Sequence, residues 1–109
     1  MKVEKQYSMK VYAVEGTPYH TLIGGLLAAA GGVTTTQGTG WWMDKNGKPV
    51  QEPVTIVEVH CTGAEAAGVA DAVDAYIGAC IKGGQECVGI FTDGEDCQPV
   101  FTMHYEVPA

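Results

Sequence analysis

Arginine is absent from the 109 residues, and six lysines face 13 acidic side chains, for a net charge of −7. Nucleic-acid binding depends on clustered Lys and Arg that neutralise phosphates, so it is excluded. The missing arginine also removes the usual bidentate clamp for phosphate groups. A surface of this charge attracts a small cationic molecule more readily than a polyphosphate.

Long hydrophobic segments are also missing. The longest apolar stretch, from Leu22 to Ala30, is too short to span a bilayer. The residues from Met1 to Gln6 lead into no apolar segment, so we expect no signal peptide. These observations predict a cytoplasmic protein with no membrane partner.

Recognisable catalytic and metal-binding motifs are absent. There is no hydrolase elbow, phosphate-binding loop or dinucleotide fingerprint, and no C-x-x-C pair. His60 and Cys61 project to opposite faces of a strand and cannot chelate one metal ion. We therefore expect no metal and no cofactor. Cys61, Cys80 and Cys87 are predicted to be reduced and structural, and Cys97 to be an exposed loop thiol.

Composition indicates one globular domain over residues 1–109, with 46% apolar and 17% charged residues. Few charges on a small domain leave much apolar surface, which favours an oligomer.

Hydrophobic periodicity predicts the order β-α-β-β-α-β with one extra strand. The predicted strands cover residues 7–14, 33–42, 53–61, 85–92 and 99–107, and the predicted turns are Asn46-Gly47 and Asp93-Gly94. This order is typical of an α+β, ferredoxin-like (PII-like) fold, with two helices on one face of an antiparallel sheet. The third strand is expected near the centre of the sheet because it is almost continuously apolar.

Both predicted helices carry start and stop signals. The first begins at Thr17-Pro18, with Thr17 as a possible cap, and Gly24-Gly25 inside it could let another backbone approach closely. The second begins at a capping box, Thr62 to Glu65, and ends at Gly83. Its predicted apolar stripe comprises Ala66, Val69, Ala70, Val73, Ile77 and Cys80.

The stretch from Gly38 to Trp42 is the strongest candidate for a binding site. Gly38 and Gly40 allow a close backbone approach. Trp41 and Trp42 project to opposite faces of a strand, so at most one can readily join the core. Two interpretations remain open: an ordinary hairpin with Glu52 in solvent, or a site where an indole stacks on a planar cationic ligand and Glu52 accepts from it.

Other acidic residues are weaker candidates. Glu58 is predicted on the open face of the sheet. Acidic residues also cluster around the predicted last hairpin. They could form a solvated edge of the sheet or a functional site, and they are Glu86, Asp93, Glu95 and Asp96.

The glycines, the tryptophans and the following loop resemble PII-like and CutA proteins, which are trimers. PII binds adenine nucleotides in clefts between subunits, and CutA has an aromatic run before a hairpin and a glutamate. The chain resembles the phage S-adenosylmethionine (SAM) lyases still more closely. The shared landmarks, in order, are Thr39-Gly40-Trp41-Trp42, Glu52 to Cys61, Val69-Ala70, Gln85-Glu86-Cys87-Val88 and Phe91.

This resemblance implies a homotrimer that cleaves SAM to 5′-methylthioadenosine and L-homoserine lactone at a subunit interface. A phage-encoded enzyme of this kind would degrade SAM in the host cytoplasm. Glu52 would be the catalytic residue that orients the cationic part of the substrate. The substrate-binding residues would be Gly38, Gly40, Trp41, Trp42 and Met43. The family tyrosine near the glutamate is replaced by Trp41 or Trp42, which cannot accept a proton.

Two alternatives accompany this hypothesis. One is a non-catalytic PII-like protein that binds adenine nucleotides in signalling, although Lys45 and Lys48 are its only loop cations for phosphates. The other is a structural trimer that binds a protein partner and no small ligand.

Overall fold

A computed structural model describes residues 4–85, 87–94 and 97–105. The elements are β1 (Tyr7–Val14), α1 (Tyr19–Ala30), β2 (Thr34–Met43), β3 (Pro49–Cys61), α2 (Ala66–Lys82), β4 (Cys87–Gly94) and β5 (Cys97–Tyr105). The strands form one antiparallel sheet in the order β2-β3-β1-β4-β5. The predicted α+β, ferredoxin-like fold is confirmed, and β5 is the extra strand at one edge.

Several predicted strand boundaries were wrong. β3 begins at Pro49 instead of Pro53, because its pairing with β2 continues to the end of the hairpin. Asp93 and Gly94 belong to β4 and pair with β1, so they do not form a turn. Cys97 is the first residue of β5 and not part of a loop. The end of the predicted last strand, residues 106–107, lies outside the described residues.

The core lies between the helices and one face of the sheet. Val11 on β1 and Val57 and Val59 on β3 are completely buried. Full burial of such a side chain stabilises the fold by about 1.5–3 kcal/mol. The helices contribute Leu22, Leu26, Ala30, Val69, Val73, Tyr76 and Cys80.

The buried stripe of α2 differs from the predicted one at two positions. Ala70 is exposed, and Tyr76 occupies a buried position instead. The thiols of Cys61 and Cys80 are free and buried, as predicted, and burial raises the pKa of each. No helix in the described part of the chain is long and apolar enough to cross a membrane.

Thr17 does not cap α1, contrary to the prediction; the N-cap residue is Pro18, and no side chain caps this end. The Thr17 hydroxyl instead donates to the carbonyl oxygen of Val14 at 2.6 Å. The Thr17 hydroxyl has only one proton to donate, and Val14 accepts it. The Tyr76 hydroxyl, 2.7 Å from Thr17 Oγ1, is therefore the donor in the second hydrogen bond. This pair joins α2 to the β1–α1 connection.

The capping box before α2 is confirmed. The Thr62 N–H donates to Glu65 Oε1 at 2.9 Å, and the Glu65 N–H donates to Thr62 Oγ1 at 3.2 Å. The Lys5 ammonium donates to the same carboxylate at 2.5 Å, and this hydrogen bond lowers the pKa of Glu65.

The two helices approach closely where α1 has a glycine. A Cβ atom at Gly25 would lie 3.0 Å from the Cβ of Ala72 on α2, whereas one at Gly24 would have nothing within 4 Å. The predicted close approach is therefore confirmed at Gly25 alone.

This difference predicts opposite effects for two neighbouring substitutions. Gly24→Ala should raise the free energy of unfolding by about 0.5–1 kcal/mol through helix propensity. Gly25→Ala should lower it, because the new methyl group forces the helices apart. Urea unfolding monitored by circular dichroism measures both, and Gly25→Ala combined with Ala72→Gly should recover stability. Equal stabilisation by the two alanines would contradict the packing.

Candidate functional site

The face of the sheet opposite the helices carries the candidate site. Directly paired residues share a face of a sheet. On β2 and β3, Gly40 pairs with Glu52 and Gly38 pairs with Val54. Val54 also pairs with Val14 of β1. These pairs place the two glycines and the glutamate on the open face.

The open face continues through β1 to the far edge of the sheet. Tyr12 on β1 pairs with Ile56 of β3 on one side and with Gly89 of β4 on the other. Gly89 in turn pairs with Met103 of β5. All five strands therefore contribute to this surface.

A cavity of about 570 Å³ lies on this face, between the β2–β3 hairpin and β5. Its size falls within the range of small-molecule sites. Tyr12, Val54 and Ile56 form its centre, and Gln85 and Cys87 border it beside α2.

Two glycines make room for two aromatic walls. A Cβ atom at Gly40 would lie only 2.5 Å from Trp42 Cζ3, so the indole lies across the backbone of Gly40. At the other end, a Cβ atom at Gly89 would lie 2.7 Å from Phe101 Cζ. Phe101 also makes an edge-to-face contact with Tyr12, with ring centroids 5.5 Å apart. The cavity is thus bounded by aromatic rings on both sides.

Gly38 is different, because a Cβ atom there would lie 3.6 Å from Val54 Cγ2, an ordinary van der Waals distance. No aromatic ring of the described residues lies over Gly38. The absence of a side chain at this position therefore makes the cavity deeper.

The two tryptophans do project to opposite faces of β2. Trp42 is half-buried and lines the cavity. Trp41 borders it too, but pairs with Gln51 on the reverse face and is 66% exposed. Met43 shares the reverse face, is 65% exposed, and lies outside the cavity lining. The structure therefore brings together all the predicted site residues except Met43.

Glu52 is half-buried and lines the cavity opposite Gly40. Of the residues that the structure describes, it is the only charged one in the cavity lining. Among the described residues, no side chain forms a hydrogen bond or an ion pair with it. Its carboxylate is therefore available to accept from a bound ligand.

The described lysines lie elsewhere. Lys45 and Lys48 belong to the hairpin turn, where the backbone N–H of Lys48 donates to Asp44 Oδ1 at 2.9 Å. Lys10 is on the open face, but its ammonium lies 5.9 Å above the centre of the Phe91 ring, outside the cavity. No cationic side chain of the described residues lines the cavity.

The other acidic residues considered from the sequence do not line the cavity where the structure describes them. Glu58 is on the open face as predicted, and its Oε2 lies 3.0 Å from Nε2 of the exposed His60. Of the acidic cluster, Asp93 is exposed on β4; Glu86, Glu95 and Asp96 lie outside the described residues. Within the described part, no group of three or more His, Cys, Asp or Glu side chains could hold a metal ion.

Sequence reasoning missed Tyr12, Phe101 and Met103 as cavity residues. Strand alternation places Tyr12 on the face opposite Val11 and Ala13, and the predicted last hairpin places β5 beside β4. No local signal, however, shows that the Phe101 ring lies over Gly89. Tyr12 brings a phenol to the cavity from β1.

No family model matches this chain, and no curated protein matches it by sequence. Two solved structures do resemble it. A phage SAM lyase in complex with S-methyl-5′-thioadenosine has a TM-score of 0.69 and 9% identity, over 97% of this chain and 95% of that chain. A phage SAM lyase in the apo state has a TM-score of 0.62 and 10% identity over the same shares. The chain therefore has the fold of the phage SAM lyases, as the sequence resemblance implied.

Proposed function

We propose that this protein binds SAM in the open-face cavity and cleaves it to 5′-methylthioadenosine and L-homoserine lactone. The observation that carries the proposal is the make-up of the cavity: aromatic walls, one half-buried carboxylate and no cationic side chain among the described residues. SAM combines a planar adenine with a sulfonium and an ammonium group, so it matches these features. The shared fold with a lyase solved with methylthioadenosine supports the same ligand.

The proposed reaction needs no nucleophile from the protein. An oxygen of the substrate's carboxylate attacks its own γ-carbon, the bond from that carbon to sulfur breaks, and the sulfur keeps the electron pair. A negative and a positive charge disappear together, and no proton moves. A cavity that excludes water favours this step, because it solvates the separated charges less well than water does.

Each wall has a part in holding the reactive geometry. The indole of Trp42 would stack on the adenine. Glu52 would accept from the substrate ammonium, whose charge is unchanged by the reaction, and so would fix the amino-acid chain in the folded form that permits ring closure. Tyr12 would close the centre of the cavity between Trp42 and Phe101.

The nucleotide-sensor alternative fits this cavity less well. A triphosphate would bring several negative charges beside Glu52 with no described lysine to balance them.

Incubation of the purified protein with SAM or ATP, followed by chromatography, tests the proposal. We expect methylthioadenosine and homoserine lactone from SAM at a rate well above that of a no-protein control, and no change in ATP. Intact SAM at high protein concentration would refute the lyase; ATP binding without turnover would favour the sensor.

Glu52→Gln should lower kcat/KM for SAM by about 10- to 100-fold, because the neutral amide oxygen accepts from the ammonium without the charge of the carboxylate. Glu58→Gln is the matched control, because Glu58 lies on the same strand and face but outside the cavity. It should retain wild-type activity. Steady-state kinetics measures both; equal effects of the two variants would remove Glu52 from the site.

Gly40→Ala should weaken methylthioadenosine binding by roughly tenfold, because the added methyl group displaces the Trp42 indole that stacks on adenine. Trp42→Ala should cause a similar loss. If Gly40 acts only through Trp42, the double variant binds no worse than Trp42→Ala. Isothermal titration calorimetry measures all three affinities, and additive losses would show that Gly40 acts independently of the indole.

We also propose the trimer implied by the resemblance. Trp41 and Met43 on the hairpin and Val100 and Phe101 on β5 are between 45% and 66% exposed, which is unusual for large apolar side chains in an isolated domain. Light scattering after size-exclusion chromatography should give three times the 11.5 kDa mass of one chain. A mass of one chain would contradict the assembly.

A further inference from the structure

We infer that this cavity selects its ligand by positive charge and does not read the substrate's carboxylate. Decarboxylated SAM would therefore bind at least as tightly as SAM, but would not be cleaved. This inference rests on the proposed function and concerns the chemical class of ligand that the same site accepts.

The argument begins with the charges around the cavity. Within residues 4–85, 87–94 and 97–105, Glu52 is the only charged residue that lines it. The nearest lysine along the same face, Lys10, places its ammonium over the Phe91 ring. Lys45 and Lys48 lie in the turn of the hairpin, outside the lining. The cavity thus offers an anion for a cationic ligand group and no described cation for an anionic one.

The ligand's carboxylate therefore gains no ion pair from the described residues. It also lies in the same cavity as the Glu52 carboxylate, which repels it. A free carboxylate suits a substrate whose own oxygen is the nucleophile, because an ion pair would stabilise the attacking charge and slow the attack. The same arrangement means that removing the carboxylate costs little binding energy.

Four ligands that share the thioadenosine unit can separate the contributions of the sulfonium, the ammonium and the carboxylate to binding. Decarboxylated SAM keeps the sulfonium and ammonium groups, for a net charge of +2, and SAM has a net charge of +1. S-Adenosylhomocysteine is a neutral zwitterion without the sulfonium, and methylthioadenosine has no charged group. Decarboxylated SAM has no carboxylate oxygen to attack the γ-carbon, and attack by its amine would close a strained four-membered ring, so it remains intact.

The test is a stopped-flow titration that follows tryptophan fluorescence and reads each affinity before turnover. We expect decarboxylated SAM to bind as tightly as SAM or more tightly, and S-adenosylhomocysteine to bind about tenfold more weakly than SAM, from the loss of one charge interaction. In Glu52→Gln, SAM and S-adenosylhomocysteine should both bind more weakly, because both carry the ammonium. The difference between their affinities should also narrow, because the sulfonium of SAM loses its attraction to the carboxylate. Glu58→Gln should keep the wild-type order.

Two results would overturn the inference. Decarboxylated SAM binding more than about tenfold weaker than SAM would show that a cationic group holds the carboxylate. Equal affinities for SAM and S-adenosylhomocysteine in the wild type would show that the cavity does not select the sulfonium charge.

The titration is independent of cleavage. SAM that binds in the expected order but stays intact would refute the lyase alone. Cleavage of SAM together with poor binding of its decarboxylated form would refute the charge selection alone.

Discussion

The pairing of Gly40 with Glu52 across β2 and β3 is the constraint on which the rest of the site depends. A slip of one residue would send the glutamate to the reverse face and leave the described lining of the cavity without a charged side chain. The register is held from the other side of β3, where eight residues of β1 pair from Tyr7↔Cys61 to Val14↔Val54. The valines that form the core on one face of β3 thereby position the carboxylate on the other.

Glycine has a matching role at both ends of the cavity. The indole of Trp42 and the ring of Phe101 lie where the side chains of Gly40 and Gly89 would otherwise be. Each ring is thus brought down onto the sheet, where it forms a wall of the cavity. Such walls suit the proposed reaction, in which the protein contributes geometry and exclusion of water more than chemical groups.

Sequence patterns correctly predicted the features that depend on residues close together in the chain. Alternation separated Trp41 from Trp42 and placed Glu58 on the open face, and the capping box at Thr62 and Glu65 was correct. Tertiary contacts explain the failures. Thr17 is a residue type that can cap a helix, yet its hydroxyl donates to the carbonyl oxygen of Val14 and accepts from Tyr76, which lies 59 positions away. The β5 wall of the cavity was missed for the same reason: a predicted hairpin pairs β5 with β4, but it does not show that the Phe101 ring lies over Gly89 and against Tyr12.

The alternation of side chains along β2 has a consequence for the evolution of this protein. Gly38, Gly40 and Trp42 face the cavity, whereas Trp41 and Met43 face away from it on the same short ribbon. The ribbon continues past the end of β1, whose last pair with β3 is Val14↔Val54. Substitutions on its reverse side can therefore add or remove contacts with neighbouring molecules, while the side chains that face the cavity stay the same.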